Sequence, residues 1–272
     1  MRRCLPLHSL FIWSPIYWFP QMLTPEQIAD FQNLGYIVLP GFSSAQFCDD
    51  VVAFAKQELA QQALPIEFEA DTQYPGAPSS RAAEGGATAR RLLMASARHP
   101  MLLDWATMGE LNKVLHQLLG ADVLLCQTHH NCIMTKQPAY SSLTGWHRDS
   151  RYWNFERAEL VSAWLALGEE QIENGCLLVL PGSHRWAIAA DQLDERQFLR
   201  TDLEKNKALL AQTAAVPLAQ GDLLLFHSNL FHAAGRNITQ NTKFSMVFTY
   251  RSADNLPKAG SRSASVNEIP LV

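Results

Sequence analysis

The chain of 272 residues is 47% apolar and 18% charged, an ordinary composition for a globular protein with a sizeable core in one large domain or two small ones. A net charge of −4, a pI near 6.1 and the lack of any Lys/Arg block exclude a binder of nucleic-acid backbones. Cys4, Cys48, Cys126, Cys132 and Cys176 are an odd set without CxxC spacing, which argues against a disulfide framework or a structural zinc site and for a reducing, cytoplasmic setting.

Residues 1–21 differ in texture from the rest of the chain. Met1-Arg2-Arg3 and Leu10-Phe11-Ile12-Trp13 resemble the charged and apolar parts of a signal peptide, but Pro6, Pro15 and Pro20 interrupt them and no small-residue cleavage site precedes Leu23. The stretch is also too short and broken to span a bilayer. It is expected to be a leader or a mis-called start, disordered, with a single domain over 22–272.

Thr24-Pro25 opens a helix over 24–34, with Thr24 as its cap and Gly35 as its stop. Tyr36 to Leu39 is a β-type run. Ser43 or Ser44 caps a second helix reaching about Gln62. Residues 63–90, rich in Pro, Gly and Ser, read as a long irregular segment and a candidate lid carrying Tyr74, Arg81 and Arg90. Leu92 to Leu119 reads as helix broken by Pro100. From Val123 the texture is β: Val123–Gln127, Asn131–Met134, Leu160–Leu167, Cys176–Leu180, Leu223–His227 and Phe244–Tyr250. Asn174-Gly175 is a hairpin-turn signal before Cys176. Residues 191–212 are polar and helix-compatible, an insertion between strands. Many short strands with turns predict a sandwich or jelly roll.

One stretch carries chemistry. His147 and Asp149, in Trp146-His147-Arg148-Asp149, leave the same face of an extended strand and offer an imidazole and a carboxylate to one divalent cation. The bland reading is a strand-end ion pair. A third ligand must come from elsewhere; His232 and His227 both qualify by residue type. His129, His130 and His184 read as structural histidines, the first two also placed to line a pocket wall. Cys126 and Cys132 read as buried hydrophobes.

Taken in order, Trp146-His147-Arg148-Asp149, Ala163-Trp164-Leu165-Ala166-Leu167, Asn174-Gly175-Cys176-Leu177, Pro181-Gly182-Ser183-His184 and Gly221-Asp222 through His232 to Asn237 resemble the phytanoyl-CoA dioxygenase family, its ectoine hydroxylase-like members included. The likeness covers roughly residues 23–252. It implies a mainly β fold with flanking helices, a double-stranded β-helix (jelly roll) core against which N-terminal helices pack. It further implies Fe(II) held by His147, Asp149 and His232, with 2-oxoglutarate and O₂ as cosubstrates, and no catalytic residue beyond the ligands. Two His and one carboxylate with open positions is the donor set of non-haem Fe(II) oxygenases. The family order favours His232 over His227. Retention of the carboxylate at Asp149 points to hydroxylation or a related oxidation of a small-molecule substrate, with no nucleic-acid or membrane partner.

The resemblance also assigns the cosubstrate pocket, to Gln127, Asn131, Trp153 and Lys243. The family has Arg at the last position, 11 residues past the distal His, to pair with the remote carboxylate; Lys243 supplies charge but not a bidentate fork, and Arg251 or Arg236 could take its place. Ala234 stands where some relatives carry a hydroxyl. Two other readings compete: a non-catalytic metal- or small-ligand-binding member of the fold, and a cupin-like isomerase or hydrolase using another metal.

Overall fold

The computed structural model describes residues 22–271 apart from 73, 75, 76, 121 and 139, so the expectation for residues 1–21 lies outside the described residues. The N-terminal half lays down helices and short strands in chain order: α1 (Pro25–Leu34), β1 (Tyr36–Leu39), α2 (Ala45–Ala60), β2 (Ile66–Phe68), β3 (Ala89–Leu93), α3 (Ala95–Arg98), α4 (Pro100–Ala106) and α5 (Gly109–Leu119). The β half then runs β4 (Val123–Lys136), β5 (Thr144–His147), β6 (Leu160–Ala166), β7 (Leu177–Val179), α6 (Glu204–Leu210), β8 (Ala214–Val216), β9 (Leu223–His227), β10 (His232–Ala234), β11 (Lys243–Ser252) and β12 (Ile269–Pro270). Thr24 and Ser44 cap α1 and α2 by accepting from the amides of Gln27 and Phe47, and Gly35 closes α1 at a φ of 82°.

The strands form two antiparallel sheets. The larger has the order β1-β9-β6-β11-β4-β3-β2, with β12 also pairing β4, and the smaller β5-β10-β7-β8. This is the jelly roll expected from the strand pattern. Period two explains why the large sheet reads as nearly continuous apolar runs, since it is covered on both faces. On β11, Phe244, Met246, Phe248 and Tyr250 enter the helix-side core, where Val51, Leu102, Leu111 and Leu115 meet them. The alternate residues turn toward the small sheet, where Trp164, Leu224, Phe226 and Val247 pack against Leu177, Val179, Val216 and Ala234. The layers are therefore helices, large sheet, small sheet, and the functional cleft lies between the last two.

Four sequence expectations need correction. The segment 63–90 is not irregular throughout: β2 and a 3₁₀ turn at Glu69–Thr72 lie within it, and β3, which starts at Ala89, completes a hairpin that extends the large sheet. Leu92 belongs to that strand and not to a helix, so helix begins only at Ala95. The two runs from Val123 are one strand, β4. It is interrupted opposite Phe248–Thr249, where Asn131 and Cys126 are the successive partners and residues 127–130 are looped out of register. Asn174-Gly175 closes a 3₁₀ turn and joins strands of different sheets, so no hairpin forms there. The insertion expected over 191–212 lies between β7 and β8 and includes α6. Cys48, Cys126, Cys132 and Cys176 are free and buried, and no helix among the described residues is long and apolar enough to cross a membrane.

Candidate metal centre

Strand pairing brings the ligands together. β5 and β10 are adjacent and antiparallel with His147 directly opposite His232, so the two imidazoles, 85 positions apart in the chain, lie with ring centroids 4.2 Å apart. Asp149 follows at the start of a 3₁₀ turn (Asp149–Tyr152), which curls its carboxylate back toward both rings. Asp149 Oδ1 lies 3.7 Å from His147 Nε2 and 3.6 Å from His232 Nε2, and the three ligand atoms all fall within 4.8 Å of one another. Donors bound to one ion at ~2.0–2.2 Å stand roughly 3–3.6 Å apart at angles of 90–120°. The cluster is thus near ligating geometry.

The protonation state suits that role. His147 Nδ1 donates to the Gly145 carbonyl (2.8 Å) and His232 Nδ1 to the Leu230 carbonyl (3.0 Å). A carbonyl only accepts, so each Nδ1 carries a proton and each Nε2 is turned to the cluster. Burial, reinforced by the neighbouring His232 and Arg151, holds His147 well below the ordinary imidazole range, so it stays in the neutral, ligating form. Ser162 Oγ approaches the other Asp149 oxygen at 3.4 Å. On the same side His130 Nδ1 lies 3.4 Å from Asp149 Oδ2 and is a buried nitrogen without a hydrogen-bond partner, and burial pushes its pKa down to about 4. Two imidazole nitrogens and one carboxylate oxygen turned to one point, with open space beside them, are a donor set that fits a divalent metal ion.

His227 takes no part. Its Nδ1 accepts from the Asn229 amide (3.0 Å) and its ring packs against His184, centroids 5.1 Å apart.

Two cavities meet at the ligands. One is walled by His147 and His232 at its inner end and by Arg90, Lys136, Lys243 and Ser245 beyond. The other is reached across Asp149 and is walled by Tyr74, Arg91, His129, His130, Trp153 and Arg262. Trp153 stacks near both histidines, 5.0 Å from His129 and 5.5 Å from His130, so it shapes the second cavity and not the first.

The other proposed cosubstrate residues are placed differently from expectation. Asn131 lies on the helix side of β4, where it accepts from the Ser96 amide and donates to Ser96 Oγ, both at 2.8 Å, and it reaches neither cavity. Gln127 donates to the Asn267 carbonyl at the exposed edge. Parity shows why: Asn131 shares a face with the core residue Ile133, whereas His130, Met134 and Lys136 share the face that lines the cleft. The pair with the matching four-residue spacing on that face is His130 and Met134. Lys243 does line the first cavity, but its Nζ is 2.7 Å from Glu170 Oε2. Arg251 pairs with Glu268 and Arg236 is exposed on the surface, so neither replaces it. Sequence reasoning missed Lys136 and Glu170 and placed Arg90 only in a lid; the roles of all three depend on contacts between distant segments.

The phytanoyl-CoA dioxygenase (PhyH) family model matches residues 31–245. Phytanoyl-CoA dioxygenase domain-containing protein 1 of Bos taurus is 22% identical over 265 residues, covering 83% of this chain and 89% of that protein. Ectoine dioxygenase of Sphingopyxis alaskensis is 26% identical over 251 residues, covering 86% and 77%. Among solved structures, EctD from S. alaskensis with 2-oxoglutarate and 5-hydroxyectoine superposes with a TM-score of 0.71 at 25% identity, covering 87% of this chain and 78% of that one. The epimerase SnoN from nogalamycin biosynthesis, described as α-ketoglutarate dependent, shares the fold at a TM-score of 0.67 and 23% identity, covering 91% and 94%. The family match spans most of the chain, which belongs to the phytanoyl-CoA dioxygenase family.

Proposed function

We propose that this member of the phytanoyl-CoA dioxygenase family is an Fe(II)- and 2-oxoglutarate-dependent dioxygenase that hydroxylates, or otherwise oxidises, an unactivated C–H bond of a small molecule, releasing succinate and CO₂. The observation that carries the reading is the buried His147–Asp149–His232 cluster with both Nδ1 protons fixed outward, set at the junction of a cationic cavity and an aromatic one. His147, Asp149 and His232 would hold the iron, which with 2-oxoglutarate and O₂ supplies the oxidising equivalent.

The chain's own residues then have separable tasks. The cationic cavity receives the 2-oxo acid, whose remote carboxylate needs a countercharge away from water. The second cavity receives the substrate, with Tyr74 and Trp153 as apolar walls and Arg91 and Arg262 at its polar margin. Tyr74 is nearly buried and its ring lies 6.4 Å from that of His147, so it shields the ligands from solvent on this side. Excluding water protects a reactive centre from side reactions.

Measuring succinate formed from 2-oxoglutarate with Fe(II) in the wild type and in Asp149→Ala tests the reading. The variant is expected to form none above background; equal rates would sink the proposal. The commitment of Lys243 to Glu170 favours a second reading, a non-catalytic ligand-binding member of the fold. Anaerobic addition of 2-oxoglutarate to the Fe(II)-loaded chain separates the two, since only the dioxygenase reading expects a visible charge-transfer band.

A further inference from the structure

The charges that wall the cationic cavity do not balance against their buried partners. Arg91, which lines both cavities, is paired with Glu67 at 2.7 Å. Arg90, 3% exposed, is paired with Glu69 at 3.1 Å and donates to Thr144 Oγ1 at 2.7 Å. Lys243 is paired with Glu170 Oε2, and Glu170 Oε1 accepts from Trp164 Nε1 (2.9 Å) and Ser245 Oγ (2.5 Å). Glu170 is fully buried and every donor around it is committed. That leaves Lys136, 7% exposed, whose ammonium has only the Ser142 carbonyl at 3.2 Å. Four cations face three anions, setting aside Asp149 at the metal end, and the unmatched one is Lys136.

Its placement makes the imbalance sharper. Lys136 and Lys243 are direct cross-strand partners on β4 and β11, both buried, a like-charge juxtaposition that is unfavourable unless something negative lies between or beside them. Glu170 answers one of the two. The Lys136 stem runs close over Gly175: a Cβ there, where φ is 78°, would stand 2.6 Å from the Gly235 carbonyl oxygen, 2.8 Å from Lys136 Cδ and 2.9 Å from Cε, so glycine at 175 leaves room for the side chain. Burial, and then the charges of Arg90 and Lys243, push the Lys136 ammonium down to about 7, with Glu69 and Glu170 compensating in part. A buried, unmatched cation in the cavity that begins at His147 and His232 is a receptor for one negative charge.

We propose that Lys136 is the residue that receives the remote carboxylate of the 2-oxo acid, that this end of the cleft takes a single carboxylate, and that Lys243 is a structural cation locked to Glu170. The assignment rests on 2-oxoglutarate being the cosubstrate.

The test uses the full chain loaded with Fe(II) without oxygen, and two probes: 2-oxoglutarate, and 2-oxopentanoate, which has the same five carbons but no remote carboxylate. Affinities are measured by calorimetry for wild type, Lys136→Met, Lys136→Arg and Lys243→Met, and melting temperatures are recorded without ligand. The wild type is expected to prefer 2-oxoglutarate by about tenfold or more, the loss expected when a charge-assisted contact is absent. Lys136→Met removes that preference while its affinity for 2-oxopentanoate is unchanged, and Lys136→Arg restores it in part. Lys243→Met keeps the preference. Without ligand, Lys136→Met melts at or above the wild-type temperature because it removes an unmatched buried charge, whereas Lys243→Met melts lower because Glu170 is left alone. Survival of the preference in Lys136→Met, or a lower melting temperature for that variant, overturns the assignment while leaving the cosubstrate reading intact. A wild type that binds neither 2-oxo acid overturns both.

Discussion

At the metal end of the cleft, His147 and His232 face each other because two short strands pair in register, and Asp149 follows two residues on. At the charged end, Glu69, Arg90, Lys136, Glu170 and Lys243 converge from five separate stretches: a 3₁₀ turn, β3, β4, the β6–β7 connection and β11. The first end buries its imidazoles with each Nδ1 tied to a backbone carbonyl, so that each Nε2 is turned to the cluster. The second sets its cations against carboxylates pair by pair, leaving one over. On the reading proposed above, a metal site and an anion site sit in one cleft and are built in opposite ways. The difference tells where substitution should hurt activity and where it should hurt the fold.

The largest effect belongs to the metal end. Asp149→Ala should abolish Fe(II)-dependent succinate formation with only a small change in unfolding free energy, because in the protein itself the carboxylate meets only the imidazoles of His130, His147 and His232, all at 3.4 Å or more, and a distant serine hydroxyl. Urea denaturation beside the activity assay checks both halves. A large loss of stability with activity retained would erase the contrast between the two ends.

Glu170→Ala reverses the pattern. It strips the partner from Lys243, places that ammonium beside Lys136 uncompensated, and orphans Trp164 Nε1 and Ser245 Oγ. Removing one member of a buried pair typically costs about 3–5 kcal/mol. Urea unfolding should show a loss of that order, whether or not metal is present; a change below about 1 kcal/mol, the value of an exposed pair, would mean that the pair is solvated.

The same contrast explains what could be read from the sequence. The jelly roll follows from short apolar runs with turns, and the candidate triad from HxD joined, through the family order, to the downstream His232. Both rest on local pattern. The charged end does not, because Arg90 looks like one more arginine in a Pro- and Gly-rich segment until β2 and β3 pair and carry it to Glu69. Lys243 showed its position but not its partner, since Glu170 is held in place by its bridge to Leu218. On β4 the signal was present and passed over: Asn131 lies two residues from the apolar Ile133 and four beyond Gln127, and the face it shares with Ile133 is the core face. Asn131→Ala should accordingly cost about 1–3 kcal/mol in unfolding free energy, through the unpaired Ser96 amide, and leave 2-oxoglutarate affinity unchanged. A calorimetric loss of affinity without loss of stability would return Asn131 to the cosubstrate.

The smallest effect is the most specific to the unmatched charge. In the folded chain the Lys136 ammonium, hemmed in by Arg90 and Lys243 and only partly relieved by Glu69 and Glu170, gives up its proton at about 7, against 10.5 when unfolded. Below pH 7 both states hold the proton and the cost of burying it is fully present. Between those values the unfolded chain binds more protons than the folded one, so stability must rise with pH, by at most about 1.4 kcal/mol per unit. The buried thiols of Cys48, Cys126, Cys132 and Cys176, all held above 9.0, work in the other direction as pH nears 9, and the histidines held below 6.5 add their own rise up to about pH 7.5, so the comparison with Lys136→Met is made between about pH 7.5 and 8.5. Unfolding free energies measured across that window should climb in the ligand-free wild type and stay flatter in Lys136→Met. Saturating 2-oxoglutarate should flatten the wild-type curve as well, because a carboxylate beside the ammonium keeps it charged in the folded state. A ligand-free curve already flat would mean that Lys136 has a partner in the resting protein, and the two ends of the cleft would then differ only in the groups they use.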